Sequence, residues 1–160
     1  MPRMTDPSDA LAALQDAFNR GRVQLQPGVA DPSLFVHIMR DDGPLRNAYV
    51  RFEGKTVAAM AILAMAGRKA GKLCFDLGYA VPAAYRNQGR AKKIVRDAIA
   101  EMRRGLSTYG NGSFNVEAVV GLDNVASKHV AAATISSAPE LMTDGQSGLP
   151  ALRYVLEVKI

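Results

Sequence analysis

One short segment combines small residues with positive charge in a pattern suited to binding an anion. It reads Arg86-x-x-Gly89-x-Ala91, and it follows a strand-like run that ends at Val81. A helical pattern begins at the same point, so Gly89 and Ala91 would lie at a helix N-terminus. The unpaired N–H groups and the positive dipole end of such a turn bind phosphate groups through the backbone alone. The segment therefore predicts a phosphate-binding turn.

Two glycine-rich nucleotide-binding patterns are excluded by their spacing. Neither the Walker A pattern nor the G-x-G-x-x-G fingerprint of dinucleotide-binding folds is present. Gln88 and Arg90 complete the turn, and Lys92 and Lys93 extend its positive charge. An ordinary helix start with a solvated basic face stays open as the alternative.

A second motif, Asn124-x-x-Ser127, follows the strand-like residues 114–120. Asn is among the favoured helix N-cap residues, and Ser127 lies on the same helix face one turn later. The pattern leaves open whether Asn124 only caps the helix or also contacts a ligand. Ser127 could equally reach a ligand or pack against its neighbours.

Taken together, the two motifs resemble the GNAT superfamily of acyl-CoA N-acyltransferases. The resemblance covers about residues 47–133, with a closing strand at 151–158. It implies that acetyl-CoA, or another acyl-CoA, lies between two splayed strands, with its pyrophosphate on the helix N-terminus and its pantetheine arm beside the strand that holds Tyr79. The residues that it assigns to the cofactor are Ala80, Val81, Arg86, Gln88, Gly89, Arg90, Ala91, Asn124 and Ser127.

A proton acceptor is needed if an amine is to attack a thioester, because a primary amine is protonated near neutral pH. Asp76 and Glu117 are the candidates, since each is a carboxylate in an otherwise apolar strand. The alternative is that both side chains lie on an exposed strand face. Glu117 is slightly preferred, because its side chain is longer and a β-bulge is expected near Gly78 in the other strand.

The proton donor of the family is missing at its usual place. Many GNAT enzymes carry a Tyr seven residues after the Asn, and here that position is Ala131. Tyr79 is the candidate substitute. General acid assistance contributes about 10²- to 10⁴-fold in rate, so its loss would slow acyl transfer without preventing it.

Composition narrows the class of protein. The chain has 160 residues, a formal net charge of +5 and one cysteine, Cys74, so no internal disulfide can form. No Cys/His cluster has metal-ligand spacing, and no metal is expected. The longest apolar run, residues 57–66, is too short to cross a membrane, and no targeting segment is visible. We expect a cytoplasmic protein with one domain over residues 1–160, of which residues 1–8 are loose.

The periodicities predict the elements that position these residues. A helix capped by Ser8 and ended by Gly21 precedes strands at 34–39, 47–52, 56–66 and 72–81, with turns at 41–44 and 67–71. The strongest helical pattern starts at Ala91. A strand at 114–120, a helix capped by Asp123 or Asn124 and running to about 133, an irregular stretch and a final strand at 151–160 complete the chain. This order predicts an α/β (α+β) fold with a mixed, mostly antiparallel sheet and helices on both faces.

The predicted function is transfer of an acetyl group from acetyl-CoA to a primary amine of unknown identity. The alternative is a catalytically weak or inactive module of the same fold that binds CoA or another protein, because Ala131 replaces the usual Tyr. An RNA-directed role has only the basic helix face in its favour, and the shortage of aromatic residues speaks against nucleic acid. The sequence also leaves a homodimer open.

Overall fold

The sheet has eight strands and carries helices on both faces. The computed structural model describes residues 6–39, 43–110 and 112–160. Along the chain the elements are α1 (Pro7–Asn19), β1 (Gln26–Pro27), β2 (Phe35–Met39), β3 (Arg46–Glu53), β4 (Thr56–Lys69), β5 (Lys72–Ala80), α2 (Arg90–Leu106), β6 (Ser113–Gly121), α3 (Val125–Thr134), β7 (Glu140–Thr143) and β8 (Pro150–Lys159). The strand order is β1-β2-β3-β4-β5-β6-β8-β7. Of the residues 1–8 predicted to be loose, residues 1–5 lie outside the described residues, whereas Pro7 and Ser8 belong to α1. Residues 41 and 42 of the predicted turn at 41–44 also lie outside the described residues.

Strands β5 and β6 are the one parallel pair of neighbours among the described strands. Parallel neighbours need a crossover, and α2 provides it. The two strands pair over only three positions, from Cys74 opposite Asn115 to Asp76 opposite Glu117. Beyond these pairs, residues 77–80 and 118–121 diverge and leave a wedge between the strands, which we call the cleft. The predicted splayed pair is confirmed.

Two separate clusters of buried side chains show which helix covers which face. Ile94, Val95 and Ala98 of α2 pack with Ala131 of α3 and with one face of the sheet. Leu11 and Leu14 of α1 pack with residues of β3, β4 and β5 on the opposite face. We refer to these as the α2 face and the α1 face. The predicted mixed sheet with helices on both faces is therefore confirmed.

The sequence predicted the end of α1 correctly but not its start. Gly21, with φ +66°, follows the last turn of α1 and accommodates its termination. The start of α1 differs from the prediction, because Asp6 caps the helix by accepting from the N–H of Ser8. Pro7 then occupies the first turn, where its missing N–H costs nothing.

Strand β4 continues beyond its predicted end at residue 66. The register between β4 and β5 shifts between Met65 and Arg68, and Gly67 adopts φ +91° there. This bulge lets the strand run on to Lys69, so the turn is much shorter than predicted. The β-bulge expected near Gly78 is wrong, because the β4–β5 register is continuous at that residue.

The stretch predicted to be irregular contains β7. This short edge strand pairs only with β8, and most of its side chains are exposed. An edge strand without a buried face has no alternation of apolar and polar residues, so its sequence carries no strand signal. The two-residue strand β1 was missed for the same reason.

Candidate functional site

The N-terminus of α2 forms an open turn at the wide end of the cleft. Gly89 is the N-cap residue, with φ +74° and ψ 8°, and no described side chain caps the helix. The first helical bond runs from the N–H of Lys93 to the carbonyl of Gly89 at 3.1 Å, so the preceding N–H groups have no helical acceptor. A Cβ atom on Gly89 would meet nothing within 4 Å. The turn can therefore receive an anion on its backbone.

The arginines of this motif brace the loop. Arg86 donates from Nε to the carbonyl of Val81 at 2.9 Å. Arg90 donates to Gln88 at 3.0 Å and to Glu53 at 2.8 Å. Its guanidinium also stacks over the Tyr85 ring, 5.0 Å from the centroid. The backbone around Gly89 and Ala91, rather than the Arg90 side chain, is what the turn presents to a ligand.

One hydrogen bond links the two walls of the cleft on the α2 face. The hydroxyl of Tyr79, on β5, donates to the carbonyl of Ser127, on α3, at 2.9 Å. Burial raises the pKa of Tyr79 above its ordinary value, so the phenol stays protonated at neutral pH. Ala80, the next residue of β5, is buried against α1.

Asn124 caps α3, because its Oδ1 accepts from the N–H of Ser127 at 3.1 Å. Its side chain is exposed, and a contact with a ligand stays a prediction, as does one from Ser127. Ala131 lies one turn beyond Ser127 and is completely buried in the core of the α2 face. No polar group therefore comes from α3 at that position.

The two candidate bases are brought together at the closed end of the cleft. Asp76 and Glu117 occupy directly opposite positions of β5 and β6, on the α1 face. The Glu117 side chain is only 9% exposed, and its Oε1 accepts from Lys69 Nζ at 3.1 Å and from Arg153 Nη2 at 2.9 Å. Asp76 is exposed and makes no ion pair with any residue that the structure describes.

The environment of Asp76 favours its protonated form. Partial desolvation is the main cause that raises the pKa of Asp76, and the negative charge of Glu117 raises it further. The cation of Lys69 acts in the opposite direction. A carboxyl with a raised pKa is a stronger base when ionised. Asp76 is therefore better suited to accept a proton than Glu117, whose oxygen already binds two cations.

Lys69 and Arg153 were not recognised from the sequence. Lys69 was assigned to a basic turn, whereas it belongs to β4. Arg153 is a cation among the apolar residues at the start of the final strand, which was the available signal, but its partner lies on another strand. Pro7 is a further neighbour, because a Cβ on Gly78 would come within 3.2 Å of its Cγ. The start of α1 therefore borders the cleft on the α1 face.

The arrangement can bind an extended molecule with an anionic end. The turn at Gly89 is at its wide end, the unpaired edges of β5 and β6 line its length, and Asp76 marks its closed end. The five residues from Ala80 back to Asp76 span ~13 Å in an extended strand. An extended chain of that length can lie along the unpaired strand edges. Among the described residues, no group of three or more His, Cys, Asp or Glu side chains could hold a metal ion.

Comparisons with known proteins agree with this geometry. Residues 11–132 match the sequence profile of the Acetyltransferase (GNAT) family. No curated protein sequence matches the chain. Among the described residues, no helix has both the length and the apolar character that a bilayer span requires.

Solved structures with a similar fold share little sequence identity with the chain. An acetyltransferase of the GNAT family from Streptococcus pneumoniae is 15% identical, with TM-score 0.52 over 99% of each chain. The protein yncA from Salmonella typhimurium, solved with acetyl-CoA, is 16% identical, with TM-score 0.52 over 97% of this chain and 75% of that one. The ribosomal L7/L12 N-protein acetyltransferase RimL, solved with coenzyme A, is 19% identical, with TM-score 0.52 over 69% of this chain and 60% of that one.

The carboxylate pair predicts opposite effects of two neutralising substitutions on stability. Asp76→Asn should raise the free energy of unfolding at neutral pH by less than about 1 kcal/mol, because the group is exposed. The stability that protonated Asp76 contributes is complete below the ordinary Asp pKa and is lost as pH rises through the raised folded pKa. The increase in the free energy of unfolding caused by Asp76→Asn should therefore disappear at acidic pH. Glu117→Gln should cost about 1–3 kcal/mol, because Lys69 and Arg153 lose their acceptor.

Urea unfolding at neutral and acidic pH measures both changes. Asp123→Asn, which removes the same charge at another exposed position, is the control and should change stability little at either pH. Destabilisation by Asp76→Asn at neutral pH would contradict the conclusion that the charged form of Asp76 is unfavourable beside Glu117.

Proposed function

The chain belongs to the Acetyltransferase (GNAT) family, and we propose that it transfers an acetyl group from acetyl-CoA to a primary amine by direct attack. The divergence of β5 and β6 after three paired positions is the observation that carries this proposal. It opens a cleft through the sheet, with one mouth on each face. A thioester donor and an amine acceptor can then approach the same point from opposite sides.

The donor is bound mainly by backbone groups in this proposal. The N–H groups of Gln88, Gly89, Arg90 and Ala91 hold the pyrophosphate, where the positive end of the α2 dipole adds to the attraction. Backbone groups of β5 near Tyr79 and Ala80 pair with the pantetheine amides. The carbonyl of Val81 already accepts from Arg86, so Val81 contributes through its apolar side chain. Acetyl-CoA supplies an activated acyl group, because its thiolate is a good leaving group.

Asn124 and Ser127 bind the donor on the opposite wall of the cleft. The Asn124 Oδ1 is used by the cap, which leaves its Nδ2 to donate to a pantetheine carbonyl. The Ser127 hydroxyl lies one turn further along the same helix and can bind the same arm. One residue can therefore both cap α3 and contact the donor.

The reaction needs two proton transfers, which take place on opposite faces of the sheet. Asp76 accepts a proton from the acceptor ammonium on the α1 face, while Glu117 is held by its contacts with Lys69 and Arg153. Tyr79 donates a proton to the departing thiolate on the α2 face, since its phenol is protonated and already acts as a hydrogen-bond donor. Tyr79 thereby takes the role of the family Tyr, whose position is occupied here by Ala131.

A second candidate function is favoured by one observation. Ala131 is completely buried and provides no proton donor, so the chain could be a CoA-binding or protein-interaction module with little turnover. The module would be favoured if calorimetry shows that CoA binds, while no thiol is released from acetyl-CoA when a panel of amines is added. Thiol release that depends on an amine would favour the transferase.

The anion-binding turn predicts the effect of a charge at Gly89. Gly89→Glu should abolish detectable CoA binding, because a negative side chain would enter the open turn and a positive φ strains any residue with a Cβ. Isothermal titration calorimetry with CoA measures this. Gly105→Glu is the matched control, since Gly105 lies on the same helix with open space around it, about 24 Å further along. Normal binding by a folded Gly89→Glu variant would remove the assignment of the turn.

The base assignment predicts a change in the pH profile. Activity should rise with pH through the raised pKa of Asp76, because only the carboxylate accepts a proton. Asp76→Asn should lower kcat/KM by about 10² or more and flatten the acidic limb of the profile. Glu117→Gln should keep that limb. The reverse result would make Glu117 the base.

The acid assignment predicts a selective loss of turnover in Tyr79→Phe. This variant should lower kcat by about 10-fold or more between about pH 6 and pH 9, since the thiolate would leave without a proton donor. CoA binding, measured by calorimetry, should stay within about threefold of the parent, which separates loss of the acid from damage to the cleft. An unchanged kcat over this range would eliminate Tyr79 as the acid.

A further inference from the structure

A primary amine of the chain itself lies beside the carboxylate pair. Lys69, at the end of β4, extends across β5, and its Nζ lies 3.1 Å from Oε1 of Glu117. The side chain is 53% exposed, so it can change rotamer without disturbing the core. Its charge also acts on Asp76, the group proposed as the base. The Lys69 ammonium therefore occupies the closed end of the cleft, where the proposed function places an acceptor amine.

We propose that Lys69 is a self-acetylation site, which takes an acetyl group from acetyl-CoA bound to the same molecule. This inference rests on the proposed function, because it needs a thioester in the cleft. It adds a modification site and identifies a lysine side chain as an amine that the site can accept.

The position of Lys69 distinguishes it from every other described lysine. Lys72 is its direct partner across the β4–β5 hairpin, yet it pairs with Glu157 at 2.9 Å rather than with Asp76 or Glu117. Lys93 pairs with Asp97 on α2. The others lie at the β3–β4 turn, on α2, on α3 and at the end of β8. Among the residues that the structure describes, Lys69 is thus the lysine that contacts Glu117 and whose charge acts on Asp76.

The transfer balances with groups already present. The Lys69 ammonium gives one proton to Asp76, and its nitrogen lone pair forms a bond to the thioester carbonyl carbon. The carbon–sulfur bond breaks and its electron pair goes to sulfur. The second proton lost by nitrogen goes to the thiolate through Tyr79 or water, and Asp76 returns its proton to solvent. The products are an amide on Lys69, free CoA thiol and one proton.

Acetylation would change the electrostatics of the carboxylate pair. An amide carries no charge, so Glu117 would keep only Arg153 as a cationic partner. Two like charges directly opposite each other on neighbouring strands destabilise a sheet. The acetylated chain should therefore be less stable than the unmodified chain at neutral pH, and thermal unfolding gives a readout that does not depend on turnover.

Peptide mass spectrometry after incubation of the full chain with acetyl-CoA, without an added acceptor, tests the proposal. We expect Lys69 to be acetylated at least about 10-fold faster than Lys72, because an amine that is held beside the thioester reacts faster than one that must collide with it from solution. The rate per molecule should not depend on protein concentration, since donor and acceptor belong to one molecule. Lys72→Arg should leave the labelling of Lys69 unchanged, and Lys69→Arg should remove it.

The Gly89→Glu variant separates this reaction from chemical acetylation in solution. It keeps Lys69 exposed but should not bind CoA, so the excess labelling of Lys69 over Lys72 should disappear. Equal labelling of the two lysines, or a rate per molecule proportional to protein concentration, would overturn the proposal. CoA binding and acetylation of an added amine with no label on Lys69 would overturn this inference alone. Absence of CoA binding would overturn the proposed function as well.

Discussion

The early end of the parallel pairing between β5 and β6 is the constraint on which the rest of the site depends. A strand that loses its neighbour leaves backbone N–H and C=O groups without partners, and such groups are costly unless water or a ligand satisfies them. The cleft is therefore lined with groups ready to pair with an extended polar chain. Helix α2 forms the crossover between the same two strands, so its open N-terminus lies at the mouth of the cleft. The gap and the open turn at Gly89 thus have one structural origin.

Charge placement around α2 follows a second constraint. Both acidic residues of this helix have hydrogen-bond partners in other elements. Asp97 accepts from Arg51 at 2.8 Å, and the buried carboxylate of Glu101 accepts from the backbone N–H groups of Val29 and Ala30. The Glu101 contacts hold the loop between β1 and β2 against the helix, while the Asp97 contact joins the helix to β3. They leave Lys92, Arg96 and Arg104 exposed without an acidic partner among the described residues, which keeps the surface near the turn at Gly89 positive.

The two carboxylates at the closed end differ in their surroundings. Both lie on neighbouring strands of one face, where like charges repel. Lys69 and Arg153 bind one oxygen of Glu117 and offset that repulsion, which leaves Asp76 exposed with a raised pKa. The phenol of Tyr79 lies on the other face. The Asp76 carboxyl and the Tyr79 phenol are thereby kept apart by the thickness of the sheet, with the cleft between them.

The sequence by itself determined the features that depend on residues a few positions apart. The period of α2, the cap at Asn124 and the glycine turn before α2 are local, so their residue types and spacing predict them. Strand β7 was missed because an exposed edge strand has no such pattern. The partners of Glu117 were also missed, because Lys69 is 48 residues away along the chain. Only the tertiary structure decided that Asp76 lies opposite Glu117, because the register of two parallel strands depends on how the helix between them packs, and no local sequence pattern specifies that.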